Sequence, residues 1–349
     1  MTAIEQLPRV QREGLAPAVA ALARGGTRLY SVLGAGIAED PELLEIASHA
    51  LAPVPGLHLL AIVHYLLMHD TADPLAQYYE TLTDHPAPAD EAVPHFARFC
   101  GKHREEILEL MRTRTVQATN VERCVPLMPM FSQVAKLTGE PLNLIEIGCS
   151  AGILLTFDKY AYDLNGRGRV GAEDAALTLK ADLRGGSDFH IPQIGKRVGL
   201  DLRPVDVKLA DERRWLLAQL EPGRRELHAT LSAALDVVAR TEISFFQGDA
   251  LDLLAEQIAA TSGPLCIYHS ACVVYWSDEA KARLDALLRH ASRGREFYRL
   301  QNEPDMKKAR EQGQDFAVEL VMTRYKDGAA DSRIAGHFSP LRDFTTLLD

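Results

Sequence analysis

The sequence predicts a mixed α/β protein, in which an all-helical amino-terminal domain over residues 1–115 precedes an α/β domain over residues 116–349. Helical periodicity dominates the first third of the chain, whereas strand and helix patterns alternate over about 200 residues of the remainder. Such alternation indicates a mostly parallel sheet with helices on both faces. A hairpin pattern near the end of the chain adds an antiparallel terminal strand at or near one edge of this sheet.

Size and charge limit the classes of function. A single hydrophobic core stops growing at roughly 250–300 residues, so the 349 residues of this chain favour two units. The formal net charge of −10 argues against non-specific binding to nucleic acid or to an anionic membrane. A small molecule is therefore the expected partner, and the oligomeric state stays open.

Cysteine and histidine usage indicates a reduced protein without a bound metal. The five cysteines are odd in number and lie in apolar contexts, which is typical of buried thiols in a cytoplasmic protein. The polar segment Met1–Gln11 lacks the apolar core of a signal peptide. His58, His64 and His69 follow one another at spacings of six and five, which fit no common zinc motif. We therefore predict no metal site.

The helical first third is predicted from apolar periodicity and from helix-ending residues. Val10–Ala23 is predicted as a helix that ends at Gly25-Gly26, and Tyr30–Ala35 as a turn-like crossing. Asp40 before Pro41 is a typical helix start, so Pro41–Leu51 is predicted as helix. Two further helices are predicted over 57–68, which is too short to span a bilayer, and over 95–113.

A polar segment precedes the first strand. Gln117, Asn120, Glu122 and Arg123 come before an apolar run that contains prolines and reaches Phe131. These residues either form a lid over a ligand or cap a helix, and the sequence supports both interpretations equally.

The α/β domain begins with a short apolar strand, Leu142–Ile147, followed by a turn of small residues and a predicted helix from Ile153. A β-hairpin insertion is predicted near 165–196, where apolar and polar residues alternate over 177–183. Long helical periodicity over 206–240 is broken at Pro222-Gly223. The remaining predicted strands cover residues 197–202, 243–250, 264–270, 296–300, 317–325 and 333–338.

Small and polar residues follow the predicted parallel strands. Gly148, Asp201, Asp249, Ser270 and Glu303 each stand at the carboxyl end of one strand. In open α/β sheets ligands bind beyond these ends, at the point where strand order reverses. The turn Gly148–Gly152 also leaves backbone N–H groups at a helix start. The sequence therefore predicts a ligand site at this edge of the sheet.

The spacing of these residues argues against a dinucleotide site. A dinucleotide fingerprint has three glycines and an acid about 20 residues on, whereas Asp201 follows Gly148 by 53 residues. The run Glu146-Ile-Gly148-Cys-Ser150-Ala-Gly152 instead resembles the first motif of class I S-adenosylmethionine-dependent methyltransferases, with serine in place of the middle glycine.

This resemblance implies a Rossmann-like methyltransferase-type sheet and S-adenosylmethionine as the cofactor. It implies that the backbone at the two glycines approaches the methionine part of the cofactor and that Asp201 accepts hydrogen bonds from the ribose. Asp249 and the amide of Ala250 then recognise the adenine. Without the resemblance, the same residues also allow simpler roles. Glu146 could pair with a neighbouring helix, Asp201 could be a turn residue and Asp249 could be a helix cap.

A second resemblance covers most of the chain. Segments 145–163, 199–206, 213–216 and 247–249 resemble the bacterial family called domain of unknown function 2332, which brings no known reaction with it. Its helical amino-terminal layout is similar to residues 1–115.

Polar side chains near the predicted edge suggest how a reaction could proceed. His269 is the best candidate for a general base because its ordinary pKa lies near neutrality. Gln117, Arg123, Tyr275 and Glu303 are placed on the substrate side. The expected function is methyl transfer to a small molecule. A non-catalytic scaffold that binds a ligand or partner and an NAD-dependent oxidoreductase are the alternatives.

Overall fold

The computed structural model describes residues 26–50, 55–117, 120–165, 168–185, 190–304, 318–339 and 344–348. The helix predicted over 10–23 lies outside these residues. The chain forms two compact units. The first unit contains the described residues of Met1–Ala118 together with Lys208–Ser232, and the second contains those of Thr119–Val207 and Ala233–Asp349.

The α-helices of the described residues are α1 (Arg28–Glu39), α2 (Pro41–Ala47), α3 (Pro55–Leu67), α4 (Ala92–Lys102), α5 (Arg104–Thr113), α6 (Cys124–Thr138), α7 (Ala210–Ala218), α8 (Arg225–Arg240), α9 (Ala250–Ala259) and α10 (Asp278–Ala291). Short 3₁₀ helices cover Pro74–Tyr78, Ala89–Glu91, Val121–Arg123, Leu154–Lys159 and Val273–Tyr275. None of the described helices is long and apolar enough to cross a membrane.

Most of the predicted helices of the first unit are confirmed. The Asp40 side chain accepts hydrogen bonds from the N–H groups of Glu42 and Leu43 at 2.8 and 3.2 Å and so caps α2. The turn predicted over 30–35 is wrong, because these residues lie within α1. Leu29, Leu33 and Ile37 share one buried face at helical spacing, and this face stabilises the helix in the core.

The helix α7 lies in the stretch of helical periodicity predicted over 206–240. The sequence did not predict that the segment Lys208–Ser232 belongs to the first unit. Trp215 is buried, and its ring N–H donates to the carbonyl of Thr115 at 3.1 Å. Arg114 forms ion pairs with Asp211 and Glu212, and its guanidinium lies 5.7 Å from the Trp215 ring. One aromatic side chain and one arginine therefore attach this segment to the helices.

A fully buried histidine contributes to this attachment. His64 Nδ1–H donates to the carbonyl of Ala218 at 3.2 Å, and the Thr81 hydroxyl lies 2.8 Å from Nε2. Burial, together with the nearby His228, lowers the pKa of His64 from 6.5 to about 3. The folded protein therefore holds His64 in its neutral form.

We expect acid to destabilise the first unit. Below pH 6.5 the unfolded chain protonates His64 while the folded chain does not, so the free energy of unfolding falls by about 1.4 kcal/mol per pH unit for this group. The loss continues until the pH reaches about 3. Denaturant titrations at several pH values should show a shallower pH dependence for His64→Gln. Equal slopes for both proteins would contradict this account.

The strands are β1 (Leu142–Ile147), β2 (Ala161–Leu164), β3 (Gly168–Val170), β4 (Thr178–Arg184), β5 (Ile194–Asp201), β6 (Ser244–Gln247), β7 (Leu265–Ser270), β8 (Phe297–Asn302), β9 (Val318–Lys326), β10 (Ala329–Ser339) and β11 (Phe344–Leu347). Within the described ranges they form one sheet of eleven strands in the order β3-β2-β4-β11-β10-β9-β8-β7-β1-β5-β6. The pairs that link β6, β5, β1, β7 and β8 are all parallel. The mixed α/β fold with a large, mostly parallel sheet is therefore confirmed.

The antiparallel strand does not end the sheet. The predicted terminal hairpin is β9 and β10, and β9 is antiparallel to β8. The sheet continues because β10 pairs with β11 and β11 pairs in parallel with β4. The predicted insertion is likewise larger than a hairpin, since β4 and the β2–β3 hairpin extend the same sheet. A sequence pattern of alternation does not specify such distant pairing partners.

The predicted α-helix after β1 is a short 3₁₀ helix, Leu154–Lys159. Side chains occupy carbonyls that a continuing α-helix would need. Tyr162 OH donates to the carbonyl of Phe157 at 2.8 Å, and the Arg197 guanidinium donates to the carbonyl of Leu155 at 2.6 Å. The segment therefore leads into β2 instead of a long helix.

All five cysteines lie among the described residues as free thiols. The core of the second unit consists of residues from β1, β5, β7 and α9, with α10 packed on the same cluster. Strands β1 and β7 are buried along their whole length, which fixes the positions of the residues that follow them.

Candidate ligand-binding site

The candidate site lies at the carboxyl edge of β6, β5, β1, β7 and β8, which are neighbours in this order. Ile147 at the end of β1 pairs with Leu200 on one side and with His269 on the other. Asp201 pairs with Gln247 on β6. The turn after β1 and the residues after the other four strands are therefore brought together at one edge, as expected for parallel neighbours.

The turn after β1 is held in a left-handed backbone conformation. Gly148, Ser150 and Gly152 have φ values of 75°, 49° and 76°. Serine rarely adopts this conformation, and here the Ser150 N–H donates to Asp201 Oδ2 at 2.8 Å. The Ser150 carbonyl also accepts from the Val205 N–H at 3.0 Å. These two bonds join the turn to the segment that follows β5.

Asp201 therefore has a structural role in this loop. Its Oδ1 accepts from the Arg203 N–H at 2.8 Å, while Oδ2 accepts from Ser150. Its backbone carbonyl accepts from the Gly248 N–H at 2.9 Å, which fixes the end of β6. A carboxylate has about four acceptor positions, so two backbone bonds leave acceptor capacity for a hydroxyl group.

Asp249 begins α9 as its cap. The side chain accepts a hydrogen bond from the Leu251 N–H at 2.9 Å, and the carboxylate is exposed at the edge of the sheet. Ala250, which follows it, is buried and packs in the core. Asp249 therefore has the helix-cap role that the sequence allowed. Because the side chain is exposed, its second carboxylate oxygen stays accessible to a ligand.

Glu146 is buried beneath the turn, where it is 2% exposed. Tyr268 OH on β7 donates to its carboxylate at 3.0 Å. Burial and the nearby Asp201 raise the pKa of Glu146, against the hydrogen bond from Tyr268 and the charge of Arg123. Glu146 therefore joins β1 to β7 below the edge, and its side chain does not reach the surface.

Glu303 holds the turn after β7. Its carboxylate accepts hydrogen bonds from the N–H groups of Cys272, Val273 and Val274, each at 3.1 Å. It also lies 2.5 Å from His269 Nδ1. Burial raises the pKa of Glu303, but the bonds from His269 and the backbone outweigh it and lower the pKa overall. Glu303 is therefore an ionised acceptor for four donors.

His269 is occupied at both ring nitrogens. Nδ1–H donates to Glu303, and Nε2 accepts from the Arg299 guanidinium at 2.7 and 3.0 Å. The side chain is fully buried, and burial lowers its pKa. A general base needs a nitrogen within reach of the substrate proton. We therefore do not assign His269 as the base that the sequence suggested.

Two of the other predicted residues, Arg123 and Tyr275, lie near Glu303. Arg123 donates to the Ser270 carbonyl at 3.2 Å, and its charge is close to Glu303, Glu146 and Tyr275. Burial lowers the pKa of Arg123, against these neighbours. Tyr275 is 57% exposed, so it extends this region towards solvent. A half-buried cation beside carboxylates gives the substrate side a polar wall.

The segment before α6 caps a helix. The Asn120 side chain accepts from the Glu122 N–H at 2.9 Å and begins the 3₁₀ helix Val121–Arg123. Gln117 belongs to the first unit, where its N–H donates to Gln219 at 2.6 Å. The structure therefore supports the cap interpretation for Asn120, whereas Gln117 is part of the first unit.

Two residues near the turn were missed by the sequence analysis. A methyl group on Gly148 would meet the Cys272 side chain, with 2.7 Å to its Cβ. The Phe245 ring lies beside Gly152 and Gly199, 2.9 and 3.1 Å from the positions their methyl groups would take, and is 38% exposed. For Phe245 a signal was available: two consecutive aromatic residues, Phe245 and Phe246, place one ring on each face of β6.

The arrangement combines carboxylate acceptors with an exposed aromatic ring beside a narrow backbone turn. Hydroxyl and amino groups of a nucleoside suit the carboxylates of Asp201 and Asp249, and a base or sugar face suits the Phe245 ring. Among the residues that the structure describes, no three histidine, cysteine or acidic side chains are grouped so as to hold a metal ion.

Comparison with known proteins gives a family. No curated protein matches the chain. The model of a family described as an uncharacterised protein conserved in bacteria, DUF2332, matches residues 14–341. Because this match covers nearly the whole chain, the protein belongs to the DUF2332 family of bacterial proteins.

Proposed function

We propose that the second unit binds S-adenosylmethionine and transfers its methyl group to a small molecule. One observation carries this proposal. The turn after β1, Asp201 and Asp249 follow three parallel strands that are neighbours in the sheet, in the order β1-β5-β6. The same arrangement supports a Rossmann-like, methyltransferase-type interpretation of the sheet from β6 to β8, with β9 as its antiparallel strand.

The donor set fits the chemistry of this cofactor. The left-handed turn from Gly148 to Gly152 permits close approach of the methionine part to the backbone. Asp201 retains acceptor positions for the ribose hydroxyls. Exposed Asp249 accepts from the adenine amino group, and the Ala250 amide lies at the start of α9, where backbone N–H groups lack intrahelical partners. Phe245 offers an apolar face beside them.

Because both ring nitrogens of His269 are hydrogen-bonded, the range of methyl acceptors is restricted. The bound cofactor supplies an electrophilic methyl group on a sulfonium sulfur, and the acceptor needs a lone pair in line with it. Since neither nitrogen of His269 is available for the acceptor proton, the best substrates are those that react without a base. Carboxylates meet this requirement near neutral pH, as do those thiols and amines whose pKa is low enough to leave them deprotonated there.

The first experiment is calorimetric titration of S-adenosylmethionine and S-adenosylhomocysteine, with NAD⁺ and NADH as parallel ligands. We expect a dissociation constant of about micromolar for the sulfur nucleosides and no heat from the dinucleotides. Binding of NAD⁺ or NADH alone would favour an oxidoreductase. Absence of binding for all four ligands would overturn the cofactor proposal.

Asp249→Ser separates the ligand role from the cap role. Serine caps helices about as well as aspartate, so we expect the free energy of unfolding to change by less than about 0.5 kcal/mol. Loss of a charged hydrogen bond removes about 1.5–3 kcal/mol of affinity, which corresponds to roughly 10- to 100-fold weaker binding of S-adenosylmethionine. Calorimetry and denaturant titration measure both quantities.

The matched control is Asp40→Ser, which changes the cap of α2 in the first unit. This variant should retain the affinity of the wild type. Unchanged affinity in Asp249→Ser would remove Asp249 from the site.

The second candidate is a scaffold that binds the nucleoside without transferring a methyl group. The hydrogen bonds at both nitrogens of His269 favour this scaffold candidate, because His269 then cannot act as the general base for methyl transfer. Incubation with methyl-labelled S-adenosylmethionine and a set of carboxylic acids, thiols and amines distinguishes the two. Transfer of label to any acceptor removes the scaffold candidate.

A further inference from the structure

A cavity lies at the edge of the parallel strands opposite to the candidate ligand-binding site. It has a volume of about 400 Å³ and is lined at the amino ends of β5 and β6. The lining includes Lys159, Lys196, Arg197, Arg240, Glu242 and Ser244. This volume falls in the lower part of the range for small-molecule sites. Four cations in one cavity are unexpected in a chain with a formal net charge of −10.

The cavity keeps a net positive charge after the ion pairs among its side chains are counted. Arg197 is held by Asp158, with two N–O distances of 2.8 and 2.9 Å, and Lys159 lies 3.6 Å from the same carboxylate. Lys196 and Arg240 form no ion pair within the described part of the chain. Asp158 and Glu242 therefore offset two of the four positive charges, and a net charge of about two remains.

The cavity is separate from the candidate ligand-binding site. Lys196 and Asp201 lie on the same strand, five residues apart, which corresponds to about 16 Å along an extended chain. One ligand bound at the carboxyl edge therefore does not fill the cavity. The cavity and the candidate ligand-binding site are therefore two distinct sites.

We propose that this cavity binds the phosphate group of a small phosphorylated molecule. A phosphate monoester carries nearly two negative charges at neutral pH and several acceptor oxygens, which matches the two unpaired cations. Arginine presents a planar set of donors to phosphate oxygens, and lysine adds a point charge. The exposed Ser244 hydroxyl contributes one further donor. This proposal does not depend on the proposed function.

Inorganic phosphate is the probe for the test. The experiment compares binding to the full chain, by calorimetry at low ionic strength, with binding to the double variant Lys196→Met/Arg240→Gln. Removal of both unpaired cations should weaken phosphate binding at least about tenfold. Because the dianion is the preferred form, affinity should also fall when the pH is lowered from about 7.5 to about 5.5.

The control is the double variant Lys180→Met/Arg283→Gln, which removes the same charges from exposed positions on β4 and α10. It should bind phosphate as the wild type does. Equal weakening in both double variants, or no binding to the wild type, would overturn the proposal.

Backbone amide NMR shifts give a second readout, which identifies the location of the bound ion. Added phosphate should shift the signals of Gly195 and Ser244, which line the cavity. Shifts confined to residues outside the cavity would contradict the proposal, whatever the affinity.

Discussion

Replacement of Glu303 by glutamine should lower the free energy of unfolding by about 3 kcal/mol. The carboxylate accepts from His269 and from the backbone N–H groups of Cys272, Val273 and Val274. Glutamine keeps one oxygen but directs an NH₂ group at donors that then lack an acceptor. Buried donors left unsatisfied cost about 1–3 kcal/mol each, so the turn after β7 should lose its fixed conformation. Denaturant titration measures the change in stability.

Glu296→Gln is the matched control for this prediction. Glu296 precedes β8 and pairs with Arg324 and Lys326 near the surface. Exposed ion pairs of this kind contribute about 0–1 kcal/mol. A similar loss of stability in both variants would mean that the hydrogen bonds from the four donors to Glu303 contribute no more than the surface ion pairs of Glu296.

The second large effect is expected for Gly148→Ala. Its φ of 75° is strained for alanine, and the new methyl group would overlap the Cys272 side chain. The left-handed backbone costs about 1–2 kcal/mol, and overpacking adds about 1–3 kcal/mol. We expect a total loss of about 3 kcal/mol, measured by denaturant titration. If the proposed function holds, affinity for S-adenosylmethionine should fall with it, since the turn must shift.

Gly139→Ala separates strain from overlap. Gly139 has a φ of 94°, and no atom lies within 4 Å of the position of its added methyl group. Only the cost of the unfavourable backbone conformation applies there, which is about 1–3 kcal/mol. The double variant Gly148→Ala/Cys272→Gly removes the overlapping atoms, so a double-mutant cycle should give a favourable coupling of about 1–3 kcal/mol. Additive effects would show that Cys272 does not restrict the turn.

The Glu303 prediction illustrates a wider feature of the site: its acidic residues support loops. Asp201 accepts hydrogen bonds from the N–H groups of Ser150 and Arg203, and Glu303 accepts hydrogen bonds from the N–H groups of the turn after β7. Acidic residues placed at strand ends can bind a ligand, fix the backbone around it, or do both. Asp249→Ser tests ligand binding with the cap retained, whereas Glu303→Gln tests the supporting role.

Local chemistry was sufficient to predict many elements from the sequence. The cap at Asp40, the break at Pro222-Gly223, the buried strand Leu142–Ile147 and the alternation over 177–183 each depend on neighbours along the chain. The positions of the strand ends follow from the same patterns. Because parallel strands in α/β folds share a carboxyl edge, the sequence also predicted which residues would meet there.

Pairings between distant residues depended on the tertiary structure. The sheet extends through β11 to β4, and Lys208–Ser232 joins the first unit, because side chains far apart in sequence meet there. The hydrogen bonding of His269 likewise depends on residues that are distant in the sequence. Its pKa in water suggests a base, yet Glu303 and Arg299 occupy both nitrogens in the buried fold. Composition and spacing determine which groups are available, whereas burial and hydrogen-bond partners, which only the folded chain supplies, decide what each group can do.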